Sequence, residues 1–110
     1  MIIDTNENIS IITQEKVTVI ELVKKIEALY PKFKNQHIII QLTSLKPIVL
    51  EDVTEFLRLS KLHRNAKKTF VIVSNTFDLS LAPEEIIVVP THQEALDVIE
   101  MENMERDLGF

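Results

Sequence analysis

Chemistry in this chain would have to come from three histidines, seventeen acidic side chains and a scatter of hydroxyls, because the sequence holds no cysteine. His37, His63 and His92 are far apart in the chain, and no two of them are spaced to bind a metal from one helix. His37 opens an apolar run, His63 falls in a helical stretch and His92 follows a capping threonine. Each is expected to be a surface or half-buried side chain rather than a ligand or a base. No nucleophile-elbow pattern surrounds any serine or threonine, and carboxylates are so numerous that neighbouring pairs carry no weight as an acid–base device. Without cysteine there is no thiolate nucleophile, thiolate zinc site or disulfide. The one glycine, Gly109, is the penultimate residue, which removes every glycine-rich loop that cradles a phosphate or dinucleotide. The expectation is a protein with no catalytic residue, no metal and no cofactor.

The elements that would position any site are organised around residues 37–74. HIIIQL (His37–Leu42) and TFVIVS (Thr69–Ser74) are continuous β-branched or aromatic runs rather than alternating ones. A strand that is apolar on consecutive residues is buried on both faces, as in a parallel sheet covered by helices. The segment between them has room for a crossover helix, so a right-handed β-α-β unit is expected.

Before this unit, Met1–Asp4 and Ile9–Thr13 read as a hairpin across a polar turn cluster. Thr18 and Glu21 form a capping box, followed by Val19, Leu22, Val23, Ile26, Leu29 and Tyr30 at helical spacing. Pro31 ends that helix, and Asn35 is expected to be left-handed in the turn that follows. Within the unit a helix should run from Val49 to about Asn65, acidic at its start and basic at its end, as the helix dipole favours. After it, residues 75–85 hold a turn of helix at most, Ile86–Val89 is another strand, and the Thr91–Glu94 capping box opens a terminal helix. The order β-β-α-β-α-β-β-α makes an α/β sandwich around a mixed sheet, with central parallel strands covered by helices.

At 110 residues and 45% hydrophobic content the chain is one domain with a real core. A net charge of −5 disfavours nucleic acid, whose binding rests on neutralising phosphates. No apolar run approaches the roughly 20 residues that cross a bilayer, and no signal-peptide pattern follows Met1. The expectation is a cytoplasmic protein with no membrane and no nucleic acid among its partners.

The stretch HIIIQLTSLKPIVLEDVTEFLRLSKLHRNAKKTFVIVS and the ending IIVVPTHQEALDVIE resemble a STAS domain, the sulfate transporter and anti-sigma factor antagonist family. The resemblance implies a STAS-like fold and a role in binding protein partners within a bacterial regulatory system. In that family a strand ending in Asp-Leu leads to an Asp-Ser-Ser/Thr-Gly-Leu motif that opens the next helix. Here Gln41-Leu42 stands for the first step and Val49-Leu50-Glu51-Asp52 for the motif. The family's phosphorylatable hydroxyl falls on Leu50, which cannot accept a phosphate, and the nearest hydroxyls, Ser44 and Thr54, do not match. The fold and the binding role carry over; the phosphoswitch does not. If Leu50 packs against the sheet, an acid there would cost several kcal/mol.

Two surfaces follow from helix angles of about 100° per residue. On the central helix Val53, Phe56, Leu57 and Ser60 form a core face. Leu59 lies at its edge and Leu62 opposite, beside Asp52 and Glu55. A Leu59–Leu62–Ala66 ridge flanked by acids, with Leu50, would suit the partner face that the resemblance implies. On the terminal helix Ala95, Leu96, Val98 and Ile99 form a core face, while Met101, Met104 and Leu108 gather opposite to it. The apolar stripe changes sides after about Glu100. Residues 100–110 should therefore leave the body as an interaction tail, or bend or fray. The partner would be a regulatory protein or, in an assembly subunit, a second copy; a small hydrolase or ligand-binding protein is the remaining alternative, disfavoured because no site motif appears.

Overall fold

The uninterrupted apolar runs lie side by side in the middle of a five-stranded sheet. A computed structural model of the chain describes residues 1–14, 17–42 and 47–109. Its strands β1 (Ile2–Asn6), β2 (Ile9–Thr13), β3 (His37–Gln41), β4 (Phe70–Val73) and β5 (Ile87–Val89) lie in chain order across the sheet. β1 is antiparallel to β2 and the other neighbours are parallel. The sheet is thus mixed, and the architecture is α/β. Ile38, Ile39 and Ile40 are fully buried, as are Phe70, Val71 and Ile72, because both faces of β3 and β4 are covered.

Strand alternation sends Ile12, Ile38, Ile40, Phe70 and Ile72 to one face, in a core shared with α1 (Val19–Leu29), α2 (Leu50–Thr54) and α3 (Leu57–Asn65). Ile39 and Val71 go to the other face and meet Ala95 and Ile99 of α4 (His92–Asp107). One helix about 10 Å across cannot cover a sheet roughly 24 Å wide. Ile9 and Ile11 of β2 therefore stay half-buried, and every residue of β1 is exposed.

Thr18 caps α1 by accepting the Glu21 N–H at 3.2 Å, and Pro31 ends it inside a 3-10 turn, Tyr30–Lys32. The helix expected over Val49–Asn65 is two helices joined by a tight turn at Glu55–Phe56. There the Thr54 hydroxyl donates back to the Glu51 carbonyl at 2.9 Å, and the Phe56 N–H bonds the Val53 carbonyl at 3.0 Å. Hydroxyl back-bonding of this kind bends a helix.

Asn35 is not left-handed. Among the described non-glycine residues, that conformation belongs to Glu7 in the hairpin turn (φ 55) and Lys67 after α3 (φ 61). Lys67 N–H bonds the Arg64 carbonyl at 2.9 Å and Lys68 N–H the His63 carbonyl at 3.2 Å. These are the two bonds of a Schellman motif, with lysine where glycine is usual. After β4, a 3-10 turn at Leu79–Leu81 is the only helical structure described before β5.

α4 does not leave the body after Glu100. It runs unbroken to Asp107, and the face begun by Ala95 and Ile99 continues with polar residues that are also docked. Thr69 Oγ1 donates to Glu102 Oε1 at 2.7 Å, and Arg106 Nη2 donates to Thr69 Oγ1 at 3.2 Å. The inward face changes from apolar to polar but stays inward. Phe110 lies outside the described residues, and none of the described helices is long and apolar enough to cross a membrane.

Candidate functional site

His37 and His63 are buried, at 3% and 0% exposure, rather than at the surface. His63 falls there because it continues the inward face of Phe56 and Ser60. Its Nε2–H donates to the Gln36 carbonyl at 2.6 Å, which leaves Nδ1 to accept from the Tyr30 hydroxyl at 2.8 Å. Its ring also meets Tyr30 and Phe70 edge to face. Burial pushes the His63 pKa down, Lys68 and Arg106 add to this, and the bond to Gln36 opposes it. Burial likewise holds His37 down at about 4, helped by Lys68, Arg106 and His63 against the pull of Glu102. His37 Nδ1 accepts the Thr69 N–H at 3.0 Å. Both rings are neutral spacers between elements, with no access to a substrate.

The half-buried His92 lies in a crevice of about 420 Å³ at the carboxyl ends of β3, β4 and β5, where open α/β sheets hold ligands. Gln41 Nε2 donates to His92 Nδ1 at 3.0 Å, and the Ile48 N–H donates to Thr76 Oγ1 at 3.1 Å. Its described lining contains no carboxylate, lysine or arginine, and among the described residues His92 bonds the Gln41 amide rather than a hydroxyl. Among the described residues no cluster of three or more His, Cys, Asp or Glu could hold a metal ion.

The larger concavity, about 600 Å³, is an open groove between α1 and the α2–α3 pair. Ile20, Val23 and Leu57 form its apolar part; Lys24, Arg58 and Lys61 supply cations, and Glu27 and Glu55 supply anions. Arg58 bonds Glu27 across it. Arg58 is largely exposed, so this pair contributes little to stability.

The expected partner residues divide among these surfaces. Glu55 lines the groove. Leu50, 37% exposed, stands at the first turn of α2 beside Val49 at 49%. It does not pack on the sheet, so the condition for a costly acid at this position is not met. Asp52 Oδ2 accepts the Val49 N–H at 3.0 Å and caps α2. Leu62 is 48% exposed but lies outside the groove lining. Leu59 is core, 1% exposed, because the inward face is wide enough to include it. The Leu59–Leu62–Ala66 ridge therefore does not exist as a surface. Met101, Met104 and Leu108 are 55%, 59% and 72% exposed on the outward side of α4.

Sequence reasoning missed α1 as half of the groove. Its signal was Ile20, an apolar residue off the inward face of α1 and 52% exposed. Ser44 lies outside the described residues, and the Thr54 hydroxyl is engaged by Glu51. No protein-family model matches the chain, and no curated protein matches it in sequence.

Proposed function

We propose that this chain is a non-enzymatic, STAS-like interaction module of a cytoplasmic bacterial regulatory system, working without the family's serine switch. The observation that carries the reading is the exposed Val49–Leu50 step at the start of α2. The resemblance puts a phosphorylated hydroxyl at Leu50, and an apolar side chain held out to solvent there suits constitutive binding of a protein partner. The neighbouring groove, with Glu55 on its lining, extends the same face. A second reading, an assembly subunit acting on copies of itself, is favoured by the exposed methionine stripe on the far side of the sheet.

Affinity capture from bacterial cytosol with wild-type and Leu50→Glu baits tests the first reading. The variant should melt within about 2 °C of wild type, as exposed substitutions do. It should also lose a partner that wild type retains. A variant that captures the same partner equally well would sink the proposal. Mass spectrometry after incubation with cytosolic kinases adds a second arm, in which stoichiometric phosphate on Ser44 or Thr54 would mean that a switch exists after all.

A further inference from the structure

We infer that copies of this chain associate head to tail, with the Met101–Met104–Leu108 stripe of one lying in the α1–α3 groove of the next. The two surfaces sit on opposite faces of one sheet, so a chain cannot fill its own groove. The stripe has the i, i+3, i+7 spacing by which a helix anchors in an apolar groove. Two of its three anchors are methionines, whose flexible thioethers adapt to an irregular floor such as Ile20 and Leu57.

Charge selects the occupant. The layer made by residues 19–34 and 50–68 carries nine lysines and arginines against five acids. α4 carries six acids against Arg106 alone, and Asp97, Glu100 and Glu105 are exposed beside the stripe. The molecule is thus basic on one face and acidic on the other. Stacking unlike faces brings the α4 acids to Lys24 and Lys61, both exposed at the groove, where Glu27 is already paired with Arg58 and Glu55 is the acid they must outweigh. A two-fold dimer through α4 would instead oppose acid to acid, and one through the groove base to base. A contact between two different patches does not close at two copies; it continues to a ring or an open filament.

Sedimentation velocity of the purified full chain over a range of concentrations reads this directly. The average mass should rise with concentration without stopping at a dimer, and should fall when salt is added. Lys61→Glu spoils the groove and keeps the stripe, whereas Met104→Glu spoils the stripe and keeps the groove. Each should be monomeric alone, and their equimolar mixture should form a dimer that grows no further. Circular dichroism confirms that each is folded, with Lys24→Glu and Met101→Glu as replacements for any that is not. A wild-type chain that stays monomeric overturns the inference. So does a mixture that stays monomeric, or a Lys61→Glu variant that still dimerises through α4. Self-association is read on purified protein and partner capture in cytosol, so this inference and the regulatory reading can fail separately.

Discussion

His63 and Leu62 are chain neighbours, yet one is sealed in the core and the other is half out in solvent. The neutral state of His63 and His37 has a pH signature. The unfolded chain takes up protons on both rings near pH 6.5, while the fold holds His37 neutral down to about 4 and depresses His63 as well. Between these values the unfolded state binds more protons than the folded one. Stability is therefore full above about pH 7 and is lost as pH falls. Thermal melts at about pH 7.5, 6 and 5, a range above most carboxylate titration, should give a steadily falling Tm; a flat Tm would mean that both rings charge freely in the fold. At Leu62 an acid should change Tm by no more than about 2 °C, whereas Leu59→Ala should cost about 2–4 kcal/mol as a core truncation. Spacing alone put Leu59 at the rim of the stripe and overlooked His63, since a polar residue leaves no mark in an apolar pattern.

Helices were legible where their ends carry side-chain caps. Thr18 and Thr91 start α1 and α4 by accepting the N–H of Glu21 and of Glu94, the first half of each expected capping box; the return bond from the glutamate to the cap N–H is absent among the described residues. The break between α2 and α3 was not legible, because it depends on a threonine hydroxyl bonding its own helix. Nor was the docking of α4, whose second half is held by Glu102 and Arg106 rather than by apolar side chains. Glu102→Ala should therefore destabilise the fold by about 1–3 kcal/mol, since it removes a charged acceptor from Thr69; chemical denaturation measures this, and no change would return the second half of α4 to the status of a loose tail. At the end of α3, Lys67 occupies a backbone conformation that glycine takes without penalty. Lys67→Gly should raise stability by about 0.5–1 kcal/mol, a net gain after the extra freedom of glycine in the unfolded chain.

Across the whole molecule, continuous apolar runs identified β3 and β4 as doubly covered strands, and the parallel part of the sheet follows from them, while its antiparallel pair comes from the β1–β2 hairpin. The groove was out of reach of such reasoning. It exists only because α1 and α3 lie side by side over the same face, bringing Ile20 and Lys61 together from different crossovers. The separation of charge between the two layers was already present in the composition of the segments, but it acquires meaning only when the sheet sets those segments back to back.

Strand order in space repeats strand order in the chain, and this bears on how the protein is made. Each new strand needs only the edge of the strand before it: β3 meets β2 at Ile9 and His37, and β4 meets β3 at Ile38 and Phe70. No strand has to wait for a later one to be inserted beside it. A chain emerging from a ribosome can therefore grow its sheet by accretion, and the slow part of each addition is closing the helical crossover that brings His37 to Ile9 or Phe70 to Ile38. Closure comes last, when α4 arrives and His92 bonds Gln41 across 51 residues of chain.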